Sequence, residues 1–322
     1  MKTAEDQVTE VVFSVIIPAR NEERNIVTCL ESIARVEWPQ EQVKVVVIDN
    51  GSGDRTVELA RSHGATVLLR PGDTVAGLRN FGASQSSGKI LVFLDADCTV
   101  NPDWLREAGR YLDQTGICCF GSPPVVPEQS TWVQRAWFHV RRKKGCVETD
   151  WLESMNMFVR REAFEEVGGF NAELVTCEDY DLSLRLRRHG RLVSDDRIVA
   201  VHHGEAASVA HFFRKEHWRA LGNLRGIGSH SFEWRELPSV LLPLVYCALF
   251  FAMAVGVAAL PFASSHLLPY ALMGMLLAWQ APLYLLSLRK AGSSAGFVAA
   301  SQLYVLMNVY FFARGLASLR LR

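Results

Sequence analysis

Over the first hundred residues, short apolar runs alternate with segments whose apolar positions recur at helical spacing. Phe13–Pro18 is a β-branched run that stops at proline. Asn21–Ala34 follows it with Ile26, Leu30 and Ile33 on one helical face. Val43–Ile48 is β-branched at every position except Lys44, the pattern of a strand buried on both faces. Gly51-Ser52-Gly53-Asp54 reads as a turn and Arg55–His63 as the helix after it. Ala65–Leu69 is a third strand, Val75–Ser84 a helix, Lys89–Leu94 a fourth strand, and a further helix is expected from Asn101 or Pro102 to Tyr111. Farther on, Leu182, Leu184 and Leu186 alternate within Asp181–Arg187, which permits a strand, although a helix is the preferred reading. Ile198–Val201 is again strand-like. Alternation of strands and helices with short loops implies an α/β fold, a sheet wound with helices.

The pattern changes at Leu237. Between Leu237 and Leu288 there is no Lys, Arg, Asp or Glu. That stretch holds two segments of the length needed to span a bilayer, about 20 residues, broken by Pro, Ser and His between Pro261 and Pro269. A third apolar segment runs from about Ala295 to Leu319, with Arg314 near its end, where a long side chain snorkels. Spans are expected at about 238–260, 267–288 and 295–319, after a domain covering 1–236; the membrane domain is then 237–322. Lys plus Arg and Asp plus Glu are balanced at 34 each, but only five basic residues and no acid lie beyond residue 236. The first part is therefore net acidic. This argues against a nucleic-acid binder, and a hydrophobic fraction of 49% excludes a disordered chain. Arg289 and Lys290 sit in the loop between the second and third spans, which the positive-inside rule places in the cytoplasm together with residues 1–236. Arg320 and Arg322 would then emerge on the far side, so a re-entrant or interfacial third helix stays open. Met1–Glu10 is polar and predicts no secretory leader. Seven cysteines without a C-x-x-C pair suit reduced thiols rather than a zinc site.

Ligands of wound sheets sit at the carboxyl ends of strands, and the notable polar residues fall there. Asn21 and Glu22 follow the first strand, Asp49 the second, Asp95 and Asp97 the fourth. Two carboxylates at i and i+2 point to one side of an extended chain and offer hard oxygens to a divalent cation beside a phosphate; short acidic pairs also cap helices. Asp49 suits either an Asx turn into Gly51 or a hydrogen bond to a base or ribose. Glu178-Asp179 is either a helix cap or a general base placed to take a proton from an attacking hydroxyl. His202-His203 is either a structural pair or a source of a nitrogen ligand. Neither G-x-G-x-x-G nor a P-loop occurs.

Six segments occur in one order: FSVIIPARNE (Phe13–Glu22), VVIDNGSGD (Val46–Asp54), LRNFGA (Leu78–Ala83), ILVFLDAD (Ile90–Asp97), VGGF (Val167–Phe170) and CEDYD (Cys177–Asp181). Their order and spacing resemble the family 2 glycosyltransferases over roughly residues 12–225, and the apolar tail resembles the membrane-attached members that build bacterial cell-surface glycans. The resemblance implies a GT-A fold, a mixed and mostly parallel sheet flanked by helices, followed here by the transmembrane helices. It implies inverting transfer from a UDP- or GDP-linked sugar, with Mg²⁺ or Mn²⁺, to a lipid-linked or glycan acceptor at the inner, cytoplasmic membrane. Carried over by position, Pro18, Asn21 and Glu22 line the nucleotide pocket and Asp49 meets the base. Arg79 and Asp95 lie near the ribose and donor sugar. Asp97 holds the metal with His202 as a further ligand, Asp179 is the catalytic base, and Glu178 positions donor or acceptor.

The large processive members carry Gln-x-x-Arg-Trp after the base. The comparable stretch here, Arg214–Asn223, has its Trp and Arg in the reverse order, which favours one sugar per encounter. A catalytically inactive membrane scaffold of the same shape and a nucleotidyltransferase on a related α/β fold are the alternatives. All five acids stand against the first. The second would want a Gly-rich basic loop after the first strand, where the chain has Ala19-Arg20-Asn21-Glu22. Trp132–Gly145 and Phe212–Arg225 mix aromatic and basic residues, a composition suited to an anionic membrane surface or to loops at the acceptor and diphosphate.

Overall fold

The computed structural model describes residues 10–227, 237–263, 265–292 and 296–319. Along the chain the elements are β1 (Phe13–Ala19), α1 (Ile26–Ala34), β2 (Val43–Asp49), α2 (Thr56–Ser62), β3 (Thr66–Leu69), α3 (Val75–Ser84), β4 (Ile90–Leu94), β5 (Cys98–Val100), α4 (Trp104–Gly109), β6 (Ile117–Gly121), α5 (Trp132–Arg141), β7 (Cys146–Glu148), β8 (Asn156–Arg160), α6 (Arg161–Glu166), α7 (Glu178–Leu186), β9 (Arg191–Asp195), β10 (Ala200–His202), α8 (Val209–Ile227), α9 (Leu237–Ala259), α10 (Leu268–Ala291) and α11 (Gly296–Leu319). They form two compact units. One runs to Pro127 and resumes over Lys143–Gly204; the other takes Glu128–Arg142 and the chain from Glu205 onward. The helices α5 and α8 therefore group with the apolar helices, although by composition they belong to the charged part before Leu237.

The first unit is built on an eight-stranded sheet of order β3-β2-β1-β4-β8-β6-β9-β7. β1 pairs parallel with β2 and β4, and β2 with β3, as the strand–helix alternation predicts. The sheet turns mixed beyond β4: β8 runs antiparallel between β4 and β6, and β7 runs antiparallel to β9. A second, two-stranded sheet pairs β5 with β10. Period-two alternation divides β4 between the two faces. Ile90, Val92 and Leu94 enter a cluster with Phe13, Trp104 and Phe158, whereas Leu91 and Phe93 enter one with Phe164 and Phe170. All five β4 residues are buried, so the strand reads as an unbroken apolar run.

The first helix begins at Ile26 rather than Asn21, because residues 21–25 form a loop with its own hydrogen bonds. At Asp181–Arg187, where alternation permitted a strand, the chain forms the helix α7, the preferred reading. Its leucines at 182 and 186 are one turn apart and buried together, so the helical period wins over the alternation.

Asn156 ties the middle of the sheet together. It is fully buried; its Oδ1 accepts from Trp104 Nε1 at 2.9 Å and its amide donates to the carbonyls of Ser122 and Ile198 at 3.1 and 2.8 Å.

In the second unit, Leu241–Phe262, Leu268–Ala291 and Gly296–Leu319 are long and apolar enough to cross a membrane, with mean hydropathy 2.3, 1.5 and 1.4. α11 packs against α8, α9 and α10. α5 opens with a capping box, Thr131 with Gln134, and buries Val133, Ala136 and Trp137 against Phe212, Leu303 and Leu306. Arg314 turns inward: its Nε donates to the fully buried Glu216 of α8 at 3.0 Å, beside Arg219 at 2.7 Å, so that the buried carboxylate has two cationic partners. Arg320 and Arg322, on which the orientation of the third span turned, lie outside the described residues, as do Met1–Thr9.

A Cβ at Gly121 would collide with the Asn156 carbonyl oxygen across the β6–β8 pair, and backbone cannot move aside. Gly121→Ala is expected to cost about 1–3 kcal/mol, as overpacking does, read as a lower midpoint in urea unfolding of the purified protein.

Candidate functional site

The sheet order makes β1 the switch point. β2 and β3 lie to one side of it and β4 to the other, the arrangement that opens a crevice beyond the carboxyl ends. β1 and β2 stay paired as far as Ala19 and Asp49, while the β1–β4 pairing ends at Ile16 and Phe93. Pro18, which has no N–H to give, therefore falls where the ladder to β4 has already stopped.

The loops after β1 and β2 are latched together. Asn21 adopts a left-handed conformation, φ 57°, tolerable for asparagine. Its Oδ1 accepts from Gly53 N and its own N–H donates to Ser52 Oγ, both at 2.9 Å. Glu22 N donates to Thr56 Oγ1 at 2.7 Å, and Glu23 N donates to Asp54 at 3.2 Å. Asp49 makes the Asx turn. One carboxylate oxygen accepts from Gly51 N at 2.9 Å and Ser52 N at 3.0 Å, and the other from the Ser52 hydroxyl. The Glu22 carboxyl accepts from Asn25 Nδ2 at 2.7 Å. Burial, and then the charges of Asp97, Asp95 and Asp54, hold it above the ordinary range against that hydrogen bond. Three carboxylates from two strand ends therefore act on a common space.

Past β4 the chain turns at Asp95 and enters β5. Asp95 Oδ1 accepts from Arg79 Nη2 at 2.7 Å, and the other nitrogen of the same guanidinium, Nη1, donates to Glu178 Oε1 at 2.8 Å. Arg79 is 2% exposed. It thus joins the end of β4 to the first turn of α7 from a position inside α3. The register of β10 against β5 sets His202 opposite Cys98, next to Asp97, and His202 Nε2 lies 3.2 Å from Asp97 Oδ2. Alternation along the strand turns His203 the other way, onto Thr99 Oγ1 at 3.0 Å. Of the two histidines, only His202 faces the carboxylate.

α7 starts from Cys177 at φ 65°, a strained entry for a side chain with a Cβ. Glu178 and Asp179 follow in the first helical turn. Burial, then the charges of Glu178 and Glu153, push the Asp179 carboxyl up to about 7, against the opposing pull of Arg79. A carboxyl of that kind accepts a proton near neutrality. The cluster of sequence candidates is thus drawn into two direct contacts, Asp95–Arg79–Glu178 and Asp97–His202. Asn21 and Asp49 serve the latch beside them. Asn80, which carried no assignment in the sequence, grips the Phe170 backbone at both ends, its Oδ1 accepting from N and its Nδ2 donating to O, each at 2.8 Å. Its one signal was adjacency to Arg79.

Asp97 and His202 supply one hard oxygen and one borderline nitrogen at a point of raised negative potential. Among the described residues no third metal-type side chain completes the set. That donor set fits a cation that keeps positions for water and substrate phosphate, as Mg²⁺ does.

Residues 14–168 match the model of "Glycosyl transferase family 2". The glycosyltransferase AglE of Haloferax volcanii is 33% identical over 52% of this chain and 58% of its own length. Beta-monoglucosyldiacylglycerol synthase of Trichormus variabilis is 28% identical over 54% and 40%. The chain therefore spans about half the length of these relatives. Among solved structures, a mannosyltransferase from Pyrobaculum calidifontis in complex with GDP-Man and Mn²⁺ superposes with a TM-score of 0.67 over 97% of this chain and 88% of that one, at 20% identity, and so shares the fold.

Because folding raises the Asp179 pKa, its contribution favours the native state fully below the unfolded pKa, near 4, and is lost as pH rises through about 7. The melting temperature of Asp179→Asn relative to wild type is expected to climb between pH 4 and pH 7 and level off above, measured by calorimetry across that range.

Proposed function

The chain belongs to glycosyl transferase family 2 through residues 14–168, and from that premise we propose that it transfers a sugar, with inversion, from a nucleoside diphosphate sugar to a membrane-associated acceptor. Arg79 carries this reading: a single buried guanidinium links the strand end bearing Asp95 and Asp97 to the helix end bearing Asp179, so donor-side and acceptor-side groups are fixed in one frame.

Asp179 is the base. The acceptor hydroxyl forms a bond to the anomeric carbon from the face opposite the diphosphate. Its proton passes to the Asp179 carboxylate, and the bond to the diphosphate oxygen breaks, releasing the nucleoside diphosphate. Glu178, anchored by Arg79, sets the direction of the α7 turn that carries the base. Asn21, Glu22 and Asp49, with Pro18, form the nucleotide wall through the loop latch, and Asp95 with Arg79 borders the donor sugar. Asp97 and His202 would hold Mg²⁺ or Mn²⁺. A bound cation neutralises charge on the leaving diphosphate. The GDP-Man and Mn²⁺ of the Pyrobaculum neighbour agree with a nucleoside diphosphate sugar donor and with a divalent cation.

The three apolar helices, with Arg289 and Lys290 between the second and third, support a membrane-anchored enzyme whose catalytic unit lies on the cytoplasmic side of the inner membrane. A lipid-linked or glycan acceptor follows from that placement, and the lipid named for the Trichormus relative supports it. The stretch Arg214–Asn223, in α8, favours one sugar per encounter.

Asp179→Asn should lower turnover by about 10²–10⁴-fold, the usual share of a positioned base, while nucleotide-sugar binding measured by calorimetry persists. In the wild type, kcat/KM should rise with pH through about 7, where the base ionises. Chelation with EDTA should abolish release of nucleoside diphosphate and added Mn²⁺ or Mg²⁺ restore it; full activity in EDTA would remove the metal from the mechanism.

A further inference from the structure

Asp179 has an aromatic neighbour that the transfer chemistry leaves unused. The segment Asp150–Leu152 lies against α7 between its first turn and its C-cap residue, Arg187, and each of its three residues makes a contact there. Asp150 pairs with Arg187 at 3.2 Å, Leu152 N donates to Ser183 Oγ at 3.2 Å, and the Trp151 ring meets the Tyr180 ring edge-on at 6.3 Å between centroids. Glu153, next along, acts electrostatically on Asp179 itself. Trp151 keeps 37% of its surface exposed despite these ties. The Lys143 ammonium lies over its ring, 5.9 Å from the centroid, and is held by the Thr149 hydroxyl and, at 3.2 Å, by the Trp151 carbonyl. The ring is large, held by its neighbours, open to solvent and in contact with Tyr180, the residue that follows the base, so an aromatic face is already ordered beside Asp179 before a ligand arrives.

We propose that Trp151, with Tyr180 and Lys143, is the acceptor subsite, and that it takes a neutral sugar ring rather than a phosphate head. The proposal rests on Asp179 being the base. The C–H groups on one face of a pyranose are weakly positive and meet the negative face of an indole, while the ring hydroxyls can accept from the Lys143 ammonium, which has three N–H donors. The local charge selects against an anion. Asp150, Glu153, Glu178 and Asp179 outnumber Lys143, Arg187 and Arg79, and two of those three cations are held in ion pairs with Asp150 and Glu178. A phosphate brought up to Asp179 would face like charge. A stacked sugar would instead present a hydroxyl edge to the base. The acceptor class narrows accordingly, to a glycan or a lipid already bearing a sugar, made by a preceding glycosyl transfer.

Saturation-transfer NMR on the full chain in nanodiscs, with methyl glycosides of glucose, galactose and N-acetylglucosamine as probes, tests this directly. Ring C–H signals are expected with wild type, about fivefold weaker with Trp151→Ala, and largely restored with Trp151→Phe, which keeps an aromatic face; octyl phosphate and inorganic phosphate should not displace the glycoside. Melting curves on the same samples show that each variant is folded. Equal glycoside signals in wild type and Trp151→Ala, or displacement by octyl phosphate, overturns the proposal. Stabilisation of the wild type by UDP or GDP with Mn²⁺ is read separately. Nucleotide stabilisation without Trp151-dependent glycoside binding sinks the subsite alone, and glycoside binding without nucleotide stabilisation sinks the transferase reading.

Discussion

The buried guanidinium of Arg79 is the constraint on which the site depends. It is almost fully out of water, and a charge in that position is tolerable only with partners of opposite sign in good geometry. Asp95 and Glu178 provide them at 2.7 and 2.8 Å, one from each side of the crevice. Removing one acid would leave the guanidinium a single partner, and removing both would strand it, at a cost of about 3–5 kcal/mol. The same pairing holds the first turn of α7, which also carries Asp179, against α3. Phe170, whose ring lies 5.6 Å from the guanidinium carbon, is held in turn by Asn80. One helix, α3, therefore ties together the end of β4, the Phe170 turn and the first turn of α7 through two adjacent residues.

Two kinds of interaction hold the crevice. After β1 and β2, short polar side chains and backbone amides close a loop latch from Asn21 to Thr56 around the buried carboxylate of Asp49. Around the same crevice, acids are gathered close together. Glu22 and Asp179 are both pushed up by burial and by neighbouring carboxylates, the ordinary consequence of packing like charges in a site. That repulsion is a cost to the folded protein and a resource for the chemistry, since it gives a carboxylate the basicity to take a proton near neutral pH.

The second unit follows a different rule. Its three long helices α9, α10 and α11 are apolar all round rather than on one stripe, and the polar contacts that involve them are conspicuous. Glu216 with Arg219 and Arg314 is one, and the pairing of Tyr246 with Asn308 at 2.5 Å is another. Such groups fix register between helices that hydrocarbon packing alone would leave free to slide.

The sequence by itself determined the parts that depend on neighbours along the chain. Strand and helix periods, the break at Leu237, the three long apolar segments and the strand-end positions of Asn21, Glu22, Asp49, Asp95 and Asp97 were legible because side-chain period and turn chemistry are local properties. Six short segments in order were enough to point to the family. What the sequence could not contain were facts about residues a hundred positions apart. Examples are that Arg79 reaches Glu178 as well as Asp95, that β8 enters the sheet backwards, and that Arg314 turns inward to Glu216. The choice between His202 and His203 needed the β5–β10 register, since alternation says that the two point opposite ways but not which one faces Asp97. Trp151 became meaningful only once the segment carrying it lay along α7. Each of these turns on pairing a buried charge, or on the register of one element against another, and such terms exist only when the chain has folded.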